Sequence, residues 1–185
     1  MRPTFDASFG KLMVHEGGYV NNSADSGGIT NLGVTKRAWE KYVGHPVSEA
    51  DMRALTPDRV KSFYKTEYWD KIHGDDLPAG LDYCVNDTCV NSGPGRAVML
   101  LQGVLGLKED GALGPVTLAA VRERDPHDIV PAYCEARLDF MKTLPTWHVF
   151  GEGWETRVDR VQAEATSLVS HEKSPGLSGP GRGVG

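Results

Sequence analysis

The chain has 185 residues, of which 39% are hydrophobic, and a formal net charge of −5, so it can bury one sizeable core or two small lobes that share an interface. Because nucleic-acid binding depends on a basic surface, the negative charge argues against a nucleic-acid partner. The sequence has neither the roughly 20 consecutive apolar residues of a membrane-spanning helix nor a signal-peptide pattern. We therefore expect that the protein does not insert into a membrane and that it stays in the cytoplasm until another factor releases it.

The first predicted element is an amphipathic helix over residues 4–16. Its apolar residues Phe5, Phe9 and Leu12 recur at helical spacing. Glu16 falls in the last turn, near the negative end of the helix dipole, which raises the pKa of a carboxyl group. A carboxylic acid that keeps its proton near neutral pH can act as a general acid, so Glu16 is the leading catalytic candidate. The alternative interpretation is an ordinary solvated glutamate at a helix end.

A loop rich in turn formers follows this helix. Two glycines come directly after Glu16, and residues 19–33 consist largely of turn formers and small polar side chains. This composition predicts a small hairpin or a compact loop. Such a loop can return Asp25 and Thr30 to face Glu16, although Asp25 can equally form a turn and Thr30 can equally bond the backbone.

The rest of the chain reads as a series of helices without a strand-rich region. Capping residues, proline at first helical positions and terminal glycines mark their ends. The predicted helices are residues 36–43, one that begins at Ser48, one that begins at Pro57, one that begins at residue 81, 96–105, one that begins at Pro115, 126–143 and 152–169.

The chain divides at the Gly, Asp and Pro-rich residues 74–80. We predict a catalytic region over 1–75 and a second helical region over 76–171 that packs on it. Residues 172–185 are dominated by Gly, Pro and Ser with almost no apolar side chains, which predicts a disordered tail.

Two groups of side chains are candidates for substrate contacts outside the loop. Tyr68 and Trp69 end the helix that begins at Pro57, and aromatic rings stack on sugar faces, although core packing explains such rings equally well. On the helix that begins at residue 81, we expect the polar side with Asp82, Asn86 and Asn91 to look toward the substrate.

One long stretch resembles glycoside hydrolase family 108. The matching residues are Glu-Gly-Gly-Tyr-Val-Asn at 16–21, Asp-Ser-Gly-Gly-Ile-Thr-Asn-Leu-Gly-Val-Thr at 25–35, and Trp39. That family consists of lysozyme-like N-acetylmuramidases found as phage endolysins and in prophage-like secretion loci. The resemblance implies a mainly α-helical, lysozyme-like fold with a small hairpin or loop after the catalytic helix.

The resemblance also implies roles for individual residues. Glu16 is expected to protonate the leaving glycosidic oxygen, and Asp25 to stay ionised and activate water or stabilise the cationic sugar. Thr30 is expected to hold the attacking water, and Tyr19 and Asn21 to contact the substrate. The order Glu, Asp, Thr is similar to that of phage-type lysozymes, but Asp25 and Thr30 are one residue closer together here than in that pattern.

The second half resembles a peptidoglycan-binding domain. The resemblance is carried by residues 90–97, 100–107 and 110–118. It implies that the half binds bacterial cell-wall peptidoglycan, or that it is structural and completes the cleft.

Metal and cofactor chemistry has no support in the sequence. The histidines are scattered, and Cys84, Cys89 and Cys134 have no paired ligand spacing, so we expect reduced, buried thiols, no metal site and no cofactor.

The sequence therefore predicts a monomeric, bacteriolytic endolysin that cleaves the β-1,4 bond between N-acetylmuramic acid and N-acetylglucosamine and that depends on a phage holin to reach the wall and lyse the host cell. Two alternatives stay open. A lytic transglycosylase would need only Glu16, because the 6-hydroxyl of the sugar replaces water. A non-catalytic wall-binding or secretion-assisting protein would bind sacculi without releasing fragments.

Overall fold

The computed structural model of the chain describes residues 4–15, 18–22 and 28–171. The predicted catalytic residues Glu16 and Asp25 and the predicted tail 172–185 lie outside these described residues. The elements, in chain order, are α1 Thr4–His15, β1 Val20–Asn22, β2 Gly28–Asn31, β3 Val34–Thr35, α2 Lys36–Val43, α3 Glu49–Arg53, α4 Pro57–Tyr64, a π-helical turn Lys65–Trp69, short 3-10 turns Asp70–Ile72 and Gly74–Asp76, α5 Leu81–Ser92, α6 Pro94–Val104, α7 Pro115–Arg122, α8 Pro126–Lys142 and α9 Trp147–His171.

The predicted fold class is confirmed: the chain is mainly helical, with one small sheet after the first helix. Local capping chemistry explains where several helices begin and end. The Thr35 hydroxyl accepts from the Ala38 amide at 3.2 Å to begin α2, and Gly44 ends that helix at φ +79°. Ser48 and Asp51 form a reciprocal capping box at the start of α3.

Helix α9 begins at Trp147 rather than at residue 152. Gly151 and Gly153 lower the helix propensity of this segment and argue against an earlier start. Gly151 has a packing reason to be there, because a Cβ atom at this position would lie 2.6 Å from the Trp147 ring. The ring therefore packs flat against the first turns of α9.

The sheet is antiparallel, with strand order β1-β2-β3. Val20 pairs with Thr30 across β1 and β2, and Thr30 pairs with Thr35 across β2 and β3. The central strand is anchored to the body of the protein by Asn31, whose Nδ2 donates to the Met52 carbonyl at 2.8 Å.

Two clusters of buried apolar residues form the core. The first joins α1, the sheet and α2–α4, and includes Leu12, Trp39 and Phe63; the second joins α5–α9, and includes Leu101 and Val161. Tyr68 packs against both clusters. The division at residue 75 stays a prediction, since the two clusters contact each other through α1 and α5.

Helix α5 is the central helix of the second cluster and is buried along most of its length. It packs against α1, α6, α8 and α9, so that Asp82 and Asn86, which we predicted to lie on its polar side, are buried together with Asp87. Asn86 donates to the Ser8 hydroxyl at 3.3 Å, and Asp82 accepts from the Tyr83 amide at 2.7 Å. The prediction that Asp82 and Asn86 look toward the substrate is therefore wrong, because both hold the interior together.

A buried ion-pair network links α5 to the two C-terminal helices. Arg137 Nη1 lies 2.6 Å from Asp87 Oδ2, and Arg157 Nη2 lies 2.8 Å from Asp87 Oδ1. Burial by itself raises the pKa of Asp87, but the charges and hydrogen bonds of the two arginines outweigh it and hold that pKa below its ordinary value. Asp87 is therefore the ionised link between three helices.

Trp69 is completely buried at the end of the π-helical turn. Its indole nitrogen donates to Asp75 at 3.0 Å, and the Phe5 ring meets it edge-on at 5.5 Å. The prediction that Trp69 stacks on a sugar is therefore wrong, because its ring has no exposed face.

The Gly74→Ala variant is expected to lower the free energy of unfolding by about 2 kcal/mol, because an added Cβ atom would overlap the buried Trp69 ring. Urea denaturation measures the effect. Gly95→Ala on α6 is the matched control, since a Cβ atom there meets nothing within 4 Å and alanine favours a helix. Equal stability of the two variants would contradict the packing described for Trp69.

The cysteine prediction is confirmed, because Cys84, Cys89 and Cys134 are all buried free thiols. Burial raises the pKa of the Cys89 thiol to about 12. Within the described residues, no helix is long and apolar enough to cross a membrane.

Candidate active site

Helix α1 carries the chain to Glu16, which follows its last residue, His15, in the sequence. The helix is fixed on one side by the buried residues Phe9 and Leu12. It is fixed on another side by Lys11, whose Nζ lies 3.1 Å from Glu164 of α9. The catalytic roles of Glu16 and Asp25 stay predictions, because both residues lie outside the described part of the chain.

Glu164 ties the last turns of α1 to the C-terminal cluster. Its Oε2 accepts from Lys11 and also from the Tyr83 hydroxyl, each at 3.1 Å. Partial burial raises the pKa of Glu164, but the hydrogen bonds from Lys11 and Tyr83 lower it by more, so the pKa is below its ordinary value. The scaffold on which α1 ends is therefore tied to both α5 and α9.

Thr30 lies on the outer face of the small sheet. Alternate residues of a strand point to opposite faces, and Asn31 next to Thr30 is buried. The cross-strand partners of Thr30 are Val20, which is half exposed, and Thr35. The Thr30 hydroxyl is therefore on the face that does not pack on the core, where a substrate or a water molecule can reach it.

Tyr19 and Asn21 belong to the other face and lie beside α3. The Tyr19 hydroxyl donates to Glu49 at 2.8 Å, and the Arg53 guanidinium lies 3.9 Å above the Tyr19 ring. Asn21 is hydrogen-bonded within the same group. The structure therefore brings Tyr19 and Asn21 together but places them apart from Thr30, and their contact with substrate stays a prediction.

A surface groove with a volume of about 520 Å³ lies where α2, the π-helical turn and the start of α6 meet. Tyr42, Phe63 and Tyr68 form its aromatic floor, with the Tyr42 and Phe63 ring centroids 5.3 Å apart and the Phe63 and Tyr68 centroids 5.9 Å apart. Lys41 and Lys71 also line it. The volume is in the range of ligand-binding sites, and the partly exposed rings of Tyr42 and Tyr68 offer surfaces on which sugars stack, whereas Phe63 is buried.

Two predicted substrate contacts, Tyr68 and Asn91, are accessible in the structure. Tyr68 lines the groove, which keeps it available as a substrate contact, and Asn91 is exposed at the end of α5. Sequence reasoning missed Lys41 and Tyr42, which it treated only as part of a short helix. The aromatic spacing of Trp39 and Tyr42 is the one signal that could have drawn attention to this helix.

The Gln102 side chain organises the turn between α6 and α7. Its Nε2 donates to Asp110 at 2.8 Å and to the Ala112 carbonyl at 3.1 Å, while its Oε1 accepts from the Gly111 amide at 2.9 Å. These bonds occupy the whole amide group. This part of the motif in the second half therefore acts as a turn support.

Two family models match the chain. Residues 9–93 match the model described as glycosyl hydrolase 108, and residues 96–159 match the model described as a predicted peptidoglycan domain. A comparison with curated proteins gives no match. The match in the first half spans Glu16, Asp25 and Thr30.

SagA of Brucella abortus is a similar solved structure. It shares 41% sequence identity with this chain at a TM-score of 0.84. The alignment covers 93% of this chain and 99% of that chain. The likeness therefore extends over both halves of the molecule.

Proposed function

Because this chain belongs to glycoside hydrolase family 108 and is a peptidoglycan hydrolase, we propose that Glu16 is the general acid that cleaves the bond between N-acetylmuramic acid and N-acetylglucosamine. The observation that carries this assignment is the family match over residues 9–93, which includes Glu16, the residue that follows α1 in the sequence. The dipole of α1 adds a physical reason, since it favours the protonated form of a carboxyl group at that end.

The reaction needs two groups of opposite protonation state. Glu16 gives its proton to the glycosidic oxygen as the bond to the anomeric carbon breaks. Asp25 stays ionised and either takes a proton from the attacking water or stabilises the positive charge on the sugar. Thr30, on the open face of the sheet, holds the water through its hydroxyl. The water supplies the hydroxyl group that the anomeric carbon gains. If Asp25 takes the other proton of the water, exchange with solvent then returns a proton to Glu16; if Asp25 only stabilises the cationic sugar, that proton passes to Glu16 directly.

The hydrolase activity is tested with purified sacculi. The wild-type protein should lower the turbidity of a sacculus suspension and release soluble fragments with new reducing ends. A suspension that stays turbid while the protein sediments with it would contradict the enzyme and support the wall-binding alternative.

Asp25→Asn should lower the rate of fragment release by about 10²-fold, because the amide can neither accept the proton of water nor balance the cationic sugar. The initial rate on sacculi measures the effect, with thermal stability as the check that folding is intact. Asp139→Asn, on the exposed surface of α8, is the matched control and should keep the wild-type rate. A fully active Asp25→Asn variant would favour the lytic transglycosylase.

The biological setting of this reaction is a second part of the proposal. Residues 16–39 resemble those of phage endolysins, so we place the protein as a monomer in the host cytoplasm until a holin opens the inner membrane. Co-expression tests this. A culture should lyse when the protein is produced together with a holin. It should not lyse when the protein is produced without a holin, or when the Glu16→Gln variant replaces the wild type beside the holin. Lysis without a holin would contradict the storage in the cytoplasm, and light scattering that gives a mass well above 20.1 kDa would contradict the monomer.

A further inference from the structure

The groove on α2 has a small net positive charge, opposite in sign to the net charge of the whole chain. The whole chain has a formal net charge of −5, whereas two lysines and one glutamate line this groove. Lys71 is ion-paired with Glu67, so these two charges largely cancel. Lys41 is exposed and has no ion-pair partner among the residues that the structure describes.

A second positive contribution comes from the backbone. Pro94, the first residue of α6, lines the groove, so the N-terminal end of an 11-residue helix borders the same space. The partial positive charge of that end adds to the charge of Lys41. The groove therefore combines two partly exposed tyrosine rings with a net positive charge.

The groove also adjoins the sheet that carries Thr30. Helix α2 follows β3 directly, and the Thr35 hydroxyl caps it by accepting from Ala38, a residue of the groove wall. Helix α2 thus links the sheet to the groove along the chain.

Peptidoglycan offers two chemical groups to such a surface. Its sugar rings are uncharged and stack on aromatic rings, whereas its free carboxylates belong to the stem peptides, because the lactyl carboxylate of muramic acid is consumed in the amide that joins peptide to sugar. Lys41 is positioned to bind a carboxylate next to rings that bind a neutral surface. Resting on the function proposed above, we propose that this groove binds stem-peptide carboxylates and that Lys41 is the residue that recognises them.

The test compares two forms of the same sacculi. In one portion the peptide carboxylates are converted to neutral amides with carbodiimide and ethanolamine, and the glycan stays intact. Lys41→Gln should lower kcat/KM on native sacculi by about threefold and Lys41→Glu by about tenfold, as expected for an exposed ion pair and its reversal. Neither variant should differ from the wild type on the amidated sacculi, and Lys41→Arg should restore the wild-type rate on native sacculi.

Lys36→Gln is the matched control, because Lys36 lies on the opposite side of the same helix and pairs with Glu40 at 3.7 Å. It should leave both rates unchanged. Equal losses for the Lys41 variants on both substrates would overturn the recognition of carboxylates, and so would wild-type rates on both. A wild-type protein that degrades neither substrate would instead refute the hydrolase function on which the inference rests.

Discussion

Glu16→Gln should abolish most of the hydrolase activity, with a fall of about 10³-fold in the initial rate of fragment release. Glutamine has nearly the shape of glutamic acid but cannot give a proton to the glycosidic oxygen. The fold should be unaffected, because the buried Phe9 and Leu12 and the Lys11–Glu164 ion pair hold α1 in place. The rate is measured on sacculi, and the melting temperature is measured alongside.

A matched substitution separates loss of the acid from loss of a negative charge. Glu155→Gln changes an exposed glutamate of α9 in the same way and should retain the wild-type rate. If Glu16→Gln lost less than tenfold, another residue would have to supply the proton, and the assignment of Glu16 would fail.

Asp87→Asn should be the most destabilising substitution proposed, with a loss of about 3–5 kcal/mol in the free energy of unfolding. The side chains of Asp87 and Arg137 are 0% and 1% exposed, and Arg157 is 21% exposed. Removing the carboxylate takes away the counter-charge that Arg137 and Arg157 share at this position. Chemical denaturation measures the loss, and the melting temperature should fall by roughly 10 °C.

Asp139→Asn is the matched control for this variant. Asp139 also pairs with a cation, Lys142, but at 3.5 Å and with both side chains about half exposed or more, so the expected change is below about 0.5 kcal/mol. A similarly small change for Asp87→Asn would mean that the network contributes little to stability, contrary to its burial.

The same network predicts how stability depends on acid. The pKa of Asp87 is lower in the folded protein than in the unfolded chain, so its contribution to stability is complete above the unfolded pKa of about 3.9. That contribution is lost as the pH falls below about 4 toward the folded pKa. The wild type should therefore lose stability in this range by more than Asp87→Asn does, which acid titration of both proteins can measure.

Local sequence signals predicted most of the elements because each depends on a few neighbouring residues. Thr35, Ser48 and Pro57 begin helices through hydrogen bonds or a fixed backbone angle, and these effects act within one turn. The hairpin after α1 was likewise predicted from its turn formers. The predicted start of the last helix at residue 152 was wrong, because packing against Trp147 outweighs the low helix propensity of Gly151.

Features that depend on distant partners could not be predicted in this way. The polar residues of α5 predict an exposed face when they are considered alone. In the structure, the arginines of α8 and α9 bind Asp87, and Ser8 of α1 accepts a hydrogen bond from Asn86. In the sequence alone, Trp69 is compatible with stacking on a sugar; the structure shows that it is buried in contact with Phe5 and Asp75. The groove brings together three segments that are remote in sequence, so no single motif contains it.

The resemblance in the first half predicted the family, because unusual residues recur there at fixed spacing. The structure adds that Thr30 lies on the open face of the sheet and that Tyr19 and Asn21 lie beside α3. Residue spacing alone could not have supplied these positions.

The most direct test of the central claim is to identify the ends of the fragments that the wild-type protein releases from sacculi in water enriched in ¹⁸O. Mass spectrometry should find reducing N-acetylmuramic acid ends that carry one oxygen atom from the solvent, with none produced by Glu16→Gln. Fragments with 1,6-anhydro ends and no solvent oxygen would identify a lytic transglycosylase, and reducing N-acetylglucosamine ends would identify cleavage of the other glycosidic bond; either result would contradict hydrolysis by a muramidase.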